Sequence, residues 1–252
     1  MLRHCLRIPL FIAAALCLAG TARADSLISV DFNSANPYAP SPTFSGVEST
    51  AAAQDPVFGA ANVWNGLNVT FGVLDVNPSW TNLVDSTGAS TGVGFSVTGS
   101  VGGASLFDPS ISLNPLQADF LGFNSATLPG ESTSISWQLT GLKPNTAYDM
   151  CVYGAQADVN RSFDMTLGGT TQNVPTTVTQ VPPCTLFKGI LSDASGTITG
   201  TAAGVGPVDG FLNEANWAGF QIAAVPEPSS LLFLLAGLLA AKLLLSLRKT
   251  AV

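Results

Sequence analysis

The sequence predicts an all-β chain, an antiparallel β-sandwich followed by one C-terminal transmembrane helix. Three observations carry this. Apolar residues recur with period two in short runs separated by Gly, Pro, Asn, Asp and Ser. No amphipathic helix of ordinary length appears, and Pro115 to Gly122 could form one short helix at most. Near the C-terminus, Leu231 to Leu247 is apolar apart from Lys242 and Ser246.

In chain order, Ile28, Val30 and Phe32 share one face of the first strand. A Pro-, Ser- and Ala-rich loop from Asn33 to Ala61 follows, then a strand with Val63, Leu67, Val69 and Phe71 on one face. Further strands are expected around Val93-Phe95-Val97, Ile135-Trp137-Leu139, Tyr148-Met150-Val152 and Phe163-Met165-Leu167. Leu186 to Leu191 and Gly196 to Gly200 read as a hairpin joined by Asp193-Ala194-Ser195-Gly196, and Ala218, Phe220 and Ile222 alternate in the last strand. Many strands of this length are usually accommodated as a sandwich. Leu142-Lys143-Pro144-Asn145-Thr146-Ala147-Tyr148 has the spacing of a tyrosine corner, whose hydroxyl bonds back to the connecting loop.

The two ends are expected to be processing and membrane segments. Arg3 and Arg7, the apolar stretch Ile8 to Leu18 and Ala22-Arg23-Ala24 form the three parts of a signal peptide over residues 1–24. Residues 25–224 form one outer domain. Residues 225–252 open with the stiff linker Val225-Pro226-Glu227-Pro228 and continue into a transmembrane helix at 229–247. The apolar run alone spans roughly 25 Å at about 1.5 Å per residue. Arg248 and Lys249 then stop transfer and place the tail in the cytoplasm.

Within the outer domain, three basic residues (Lys143, Arg161, Lys188) against fifteen acidic ones leave a net charge of −12. So little positive charge excludes a nucleic-acid partner. Cys5 and Cys17 leave with the signal peptide, and the remaining pair, Cys151 and Cys184, is expected to form a disulfide in an oxidising compartment. By strand parity Cys151 faces away from Tyr148, Met150 and Val152, so the bridge belongs on a sheet's outer face or edge.

Pro226-Glu227-Pro228, the apolar helix and the basic pair, in that order, resemble the PEP-CTERM sorting signal. The resemblance implies an exosortase partner that reads the triplet and removes the helix, and a Gram-negative, exopolysaccharide-producing source. It also implies a route from the inner membrane to the cell surface or extracellular matrix. Lys242 inside the helix departs from that pattern. The order of pieces from Ile28-Ser29-Val30-Asp31-Phe32, through Trp64-Asn65 and Gly141-Leu142 to Tyr148-Asp149, up to Gly219-Phe220-Gln221-Ile222, is similar to jelly-roll, galactose-binding-like outer domains.

The chain offers little catalytic machinery. Gly88-Ala89-Ser90-Thr91-Gly92 fits a nucleophile-elbow pattern, but it lacks a following helix, and His4, the one histidine, lies in the signal peptide. No metal site is expected. Asp31 with Asn33, and Asp158 with Asn160, offer oxygen atoms to Ca²⁺, yet neither fits an EF-hand loop, so no cofactor is expected. Trp80 and Trp217 are candidate sugar-stacking residues, whereas Trp137 lies on an apolar face. The expected function is a non-enzymatic, structural or glycan-binding envelope protein with extracellular polysaccharide as partner. The alternative is a secreted carbohydrate-active hydrolase, which would require carboxylates converging in a cleft.

Overall fold

The computed structural model describes residues 27–34, 46–48, 54–55, 58–60, 63–70, 72–105, 115–117, 119–124, 130–155, 161–176, 183–206 and 214–226. The expected signal peptide, Asp158, Asn160, Glu227, Pro228, the expected helix at 229–247, Arg248 and Lys249 lie outside them. Among the described residues no helix is long and apolar enough to cross a membrane.

Ser26–Val225 packs as one unit. Its strands are β1 (Ile28–Ser34), β2 (Gly46–Glu48), β3 (Gln54–Asp55), β4 (Gly59–Ala60), β5 (Trp64–Val69) and β6 (Leu74–Val76). Then come β7 (Ser79–Val84), β8 (Ser90–Thr98), β9 (Ser100–Ser105), β10 (Asp119–Phe123), β11 (Ser134–Thr140) and β12 (Ala147–Gly154). The last are β13 (Phe163–Leu167), β14 (Thr170–Val174), β15 (Thr185–Leu191), β16 (Ile198–Gly204) and β17 (Ala215–Ala224). A nine-stranded sheet runs β2-β5-β1-β17-β10-β9-β6, with β12 and β15 branching from β17, and faces a six-stranded sheet ordered β14-β13-β16-β11-β8-β7.

The result is the expected all-β sandwich, but Leu186–Leu191 and Gly196–Gly200 do not form the expected hairpin, because β15 pairs with β12 in the large sheet and β16 with β11 and β13 in the small one; three further differences follow. First, β1 and β5 pair in parallel (Val30 opposite Asn65), so the large sheet is mixed and not purely antiparallel. The connection from Ser34 to Trp64 is long enough for the crossover that a parallel pair needs. Second, that connection carries the short strands β2, β3 and β4. Third, only Pro115–Gln117 forms a helical turn, a 3-10 turn, and Asp119–Phe123 is a strand. All five residues of β10 are buried, so its sequence shows no alternation to read.

β17 is the spine of the large sheet. β12 lies along one edge, with Met150 opposite Ile222 and Gly154 opposite Trp217. Along the other edge lie β1, with Ile28 opposite Ile222, and then β10, with Leu121 opposite Trp217. Between Gly219 and Trp217 the ladder to β12 advances two residues against one, so Ala218 is an inserted bulge residue. The bulge breaks parity: Trp217 and Phe220 both enter the main core, while Ala218 packs in an outer cluster. Aromatic rings then join the sheets, with Phe95 at 5.2 Å from Phe220, Trp137 at 5.8 Å from Trp217 and Phe123 at 5.7 Å from Phe163.

The outer face of the large sheet is also covered. Trp64, Leu116, Phe120, Cys151, Tyr153, Ala155 and Ala218 form a second apolar cluster there, with Leu27, Phe58 and Cys184 at its margin. Cys151 and Cys184 are bridged, their Cα atoms 5.4 Å apart, on the side away from Tyr148, Met150 and Val152, as parity required. A polar chain crosses the same sheet: the Tyr153 hydroxyl donates to Gln221 Oε1 (2.6 Å) and Gln221 Nε2 to Ser29 Oγ (3.0 Å). Asn65 links the two sheets. Its Nδ2 donates to Ser29 O and Val84 O, and its Oδ1 accepts from Val84 N.

Two connections show how local chemistry sets the turns. Asp85 Oδ1 accepts from Thr87 N, Thr87 Oγ1 and Ala89 N, and Asp193 Oδ1 accepts from Ser195 N, Ser195 Oγ and Thr197 N. These bonds, led by the Ser195 hydroxyl, hold the Asp193 carboxyl below the usual carboxylate range. The tyrosine corner is present too, with Lys143 N donating to the Tyr148 hydroxyl at 3.0 Å. Replacing Tyr148 with Phe should lower stability by about 1–2 kcal/mol, read as a shift of the urea midpoint at constant slope. An unchanged midpoint would show that the corner bond contributes nothing.

Candidate functional site

The burial pattern leaves one broad surface for recognition. β1, β10 and β17 are buried at every residue, so the middle of the large sheet meets solvent on neither face. The small sheet differs. In β11 Ile135, Trp137 and Leu139 are buried while Ser134, Ser136 and Gln138 are exposed, and β13 alternates in the same way. Its outer face therefore presents the polar alternates of β8, β11, β16 and β13 side by side.

A groove of about 370 Å³ runs across these four strands. Thr98, Ser136, Gln138, Thr166, Thr199 and Thr201 supply its hydroxyl and amide groups, and its lining holds no ionisable side chain. Thr166 Oγ1 lies 2.8 Å from Thr171 Oγ1, which orients it towards the β13–β14 hairpin. Trp137 is the one aromatic residue at the groove, and it is 2% exposed because its ring lies on the core side. There the ring occupies the space a Cβ would need at Gly200, and its Nε1 donates to Met165 Sδ at 3.1 Å.

A second groove of about 270 Å³ lies at the edge of the sandwich, where β14 of the small sheet meets β15 of the large one. Gln172 Nε2 donates to Leu186 O (3.0 Å) and Thr185 Oγ1 to Asn173 O (3.4 Å) across this seam. Thr170, Gln172, Lys188, Ile190 and Leu191 line it. Leu167 and Gly168, at the tip of the β13–β14 hairpin, border both grooves.

Neither sugar-stacking candidate lines these grooves. Trp217 is fully buried, its ring 5.2 Å from Phe32 and its Nε1 donating to Gly219 O at 3.0 Å, so it does not stack on a ligand. The bulge at Ala218 is the reason, since it turns Trp217 to the core. Trp80, on the edge strand β7, is partly exposed, and it stacks on Phe95 at 5.8 Å and 19°. Ser90 of the nucleophile-like pattern opens β8, and Gly88 sits in the turn before it. The groove residues themselves were not singled out in the sequence. Their signal was present as the polar half of each alternation, but which strands lie side by side is set by long-range pairing.

Neither groove is lined by a carboxylate. Among the described residues no three His, Cys, Asp or Glu side chains gather as a metal would require, and Asp31 and Asn33 are buried in β1. A strongly perturbed acid, Glu214, lies elsewhere. Glu214 is 4% exposed, pairs with Arg161 Nη1 at 2.9 Å and leaves 2.8 Å between Oε1 and the place of a Cβ at Gly122. Burial outweighs the Arg161 charge and pushes the Glu214 carboxyl up to about 7.

No family model matches the chain, and no curated protein matches it. Two solved structures overlap with it loosely. One is the CBM36-1 domain of a multidomain xylanase from the hindgut metagenome of Trinervitermes trinervoides, at 14% identity and a TM-score of 0.29 over 48% of this chain and 83% of that one. The other is TmCBM61 in complex with beta-1,4-galactotriose, at 16% identity and a TM-score of 0.25 over 52% and 84%. Overlaps this loose fix neither the fold nor a ligand.

Glu214 yields a pH signature. Its folded value of about 7 lies above the ordinary 4.5, so the folded state binds the proton more tightly than the unfolded chain does. The stabilisation from this group is complete below pH 4.5 and is lost as pH rises to about 7. The change is on the order of a few kcal/mol. Glu214→Gln should flatten that decline in urea midpoints measured across the same range. A variant that keeps the wild-type slope would assign the decline to other groups.

Proposed function

We propose that this chain is an exported envelope protein whose β-sandwich binds glycan without catalysing a reaction, and whose C-terminal segment sorts it. The groove over β8, β11, β16 and β13 carries the first part. Sugar hydroxyls both donate and accept, and so do Ser and Thr hydroxyls and the Gln amide that line this groove. With no ring exposed for stacking in this groove, affinity rests on hydrogen bonds that net about 0.5–1.5 kcal/mol each. Such weak contacts suit a matrix in which many copies meet many repeats of one polymer. The absence of carboxylates from the groove linings favours binding over hydrolysis.

The sorting reading rests on the ordered C-terminal residues. Val225 N donates to Ala147 O at 2.8 Å, the last backbone bond of the domain, and the exposed Pro226 follows at once. Glu227 and Pro228 complete a triplet that prolines keep extended, because each fixes φ and donates no backbone bond. Before processing, the helix at 229–247 anchors the chain in the inner membrane with Arg248 and Lys249 on the cytoplasmic side. After it, the domain passes to the cell surface or matrix.

Two measurements test this. Full-length protein in a detergent without a sugar head group should bind neutral polysaccharides on a glycan array. The Thr199→Val, Thr201→Val double variant should bind at least several-fold more weakly, at about 1 kcal/mol per lost hydroxyl. An unbound array, or an unweakened variant, would remove the glycan reading. In a host with the exosortase, Glu227→Ala should block formation of the shorter chain while leaving membrane insertion intact. A wild-type chain whose mass still includes residues 231–252 would reduce the segment to a plain anchor.

A further inference from the structure

The two grooves share a wall, and that wall is bare backbone. β13 and β14 are joined by a two-residue loop, Gly168-Gly169, with φ of 58° and 78°. Both values are left-handed, as in the type I′ turn that suits a tight hairpin. Gly168 is exposed and borders both grooves. A Cβ there would meet Ile190 of the second groove in ordinary van der Waals contact, at 3.8 Å, without a clash. Without a side chain, the tip is a low saddle between the sheet-face groove and the edge groove.

Each groove alone is at the small end for a ligand site, since such sites start at roughly 300 Å³. Taken in series across Gly168 they form a path that turns from the face of the small sheet onto the seam between β14 and β15. A monosaccharide would use one part of this path, whereas a polymer would use all of it. Charge narrows the class further. The domain carries −12, and Lys188 is the one cationic side chain in either lining. An approaching polyanion would meet that field before it met Lys188, and one lysine could neutralise little of its charge.

Resting on the glycan reading, we infer that the ligand is an extended, uncharged polysaccharide bound along both grooves, with the Gly168 saddle as the point where the chain crosses. The reducing or non-reducing end of the polymer is not what is read. Its interior is, and affinity therefore grows with chain length until both grooves are full.

The test uses full-length protein in the same sugar-free detergent, titrated with size-fractionated neutral β-1,3- and β-1,4-glucan oligosaccharides from disaccharide to octasaccharide. Alginate oligomers of the same lengths serve as the charged comparison. The expected result is at least a ten-fold gain in affinity from disaccharide to octasaccharide for a neutral series, and weaker binding of alginate at every length. Gly168→Asn places a side chain on the saddle while giving the Asn-Gly pair that type I′ turns favour. The octasaccharide-to-disaccharide affinity ratio should fall towards one in this variant. Leu191→Arg, at a 65% exposed position in the edge groove, should reduce the same ratio and does not depend on the turn. Glycan binding that is equally tight at all lengths overturns the two-groove path and leaves the glycan reading standing. Tighter alginate binding that collapses with salt overturns the neutral class. Failure of every saccharide to bind takes down the inference and the reading beneath it.

Discussion

The bulge at Ala218 is the constraint from which the rest of this domain follows. β17 is buried at all ten residues, with strands on both edges and apolar side chains on both faces. A strand so placed can have only one register that satisfies both faces, because a slip of one residue exchanges them. The inserted residue makes that exchange once, on purpose, at the point where the chain needs Trp217 and Phe220 on the same side. Trp217 then touches Phe32, Phe95, Trp137, Phe163 and Phe220, so one indole joins strands of both sheets. The large sheet is closed on both faces around this strand, whereas the small one keeps a polar outer face.

What could be read in advance follows from solvent exposure. β8, β11 and β13 were legible because one face is wet and the other dry, which writes period two into the sequence. β10 has no wet face, so its sequence shows no alternation and leaves a short helix open. β9 was missed for a different reason: its Gly102-Gly103 pair has no side chains to alternate, and at Gly103 a Cβ would come within 2.7 Å of Val69 O. The parallel β1–β5 pair was invisible, since pairing direction leaves no local trace. Tyr148 and Cys151 were placed correctly because a corner spacing and the parity of one strand are local facts. The groove was half legible. Ser136 and Gln138 stand out as polar alternates, but their neighbours Thr98, Thr199 and Thr166 come from strands far apart in the chain.

Among the described residues, Lys188 is the one charged side chain that lines either groove. The Arg161–Glu214 pair is buried where neither groove reaches, and its carboxyl is desolvated enough to hold a proton near neutrality. A raised carboxyl of this kind often marks an active site. Here it packs over Gly122 and pairs with Arg161, which makes it a buried clamp. The disulfide fastens the outer face of the large sheet. It closes a separation of 33 residues, which in the chain-entropy model contributes roughly 3–4 kcal/mol.

The way β17 leaves the domain has a mechanical consequence. Ile28 lies opposite Ile222, so the first strand enters and the last strand exits at the same end of the sheet. A chain held by its C-terminus while its ligand is dragged by flow would take the force along the axis of β17. The hydrogen bonds to β1 and β12 run across that axis, so they would be loaded together in shear and would not peel open one at a time. β17, buried at all ten residues, would carry the load of any such tether.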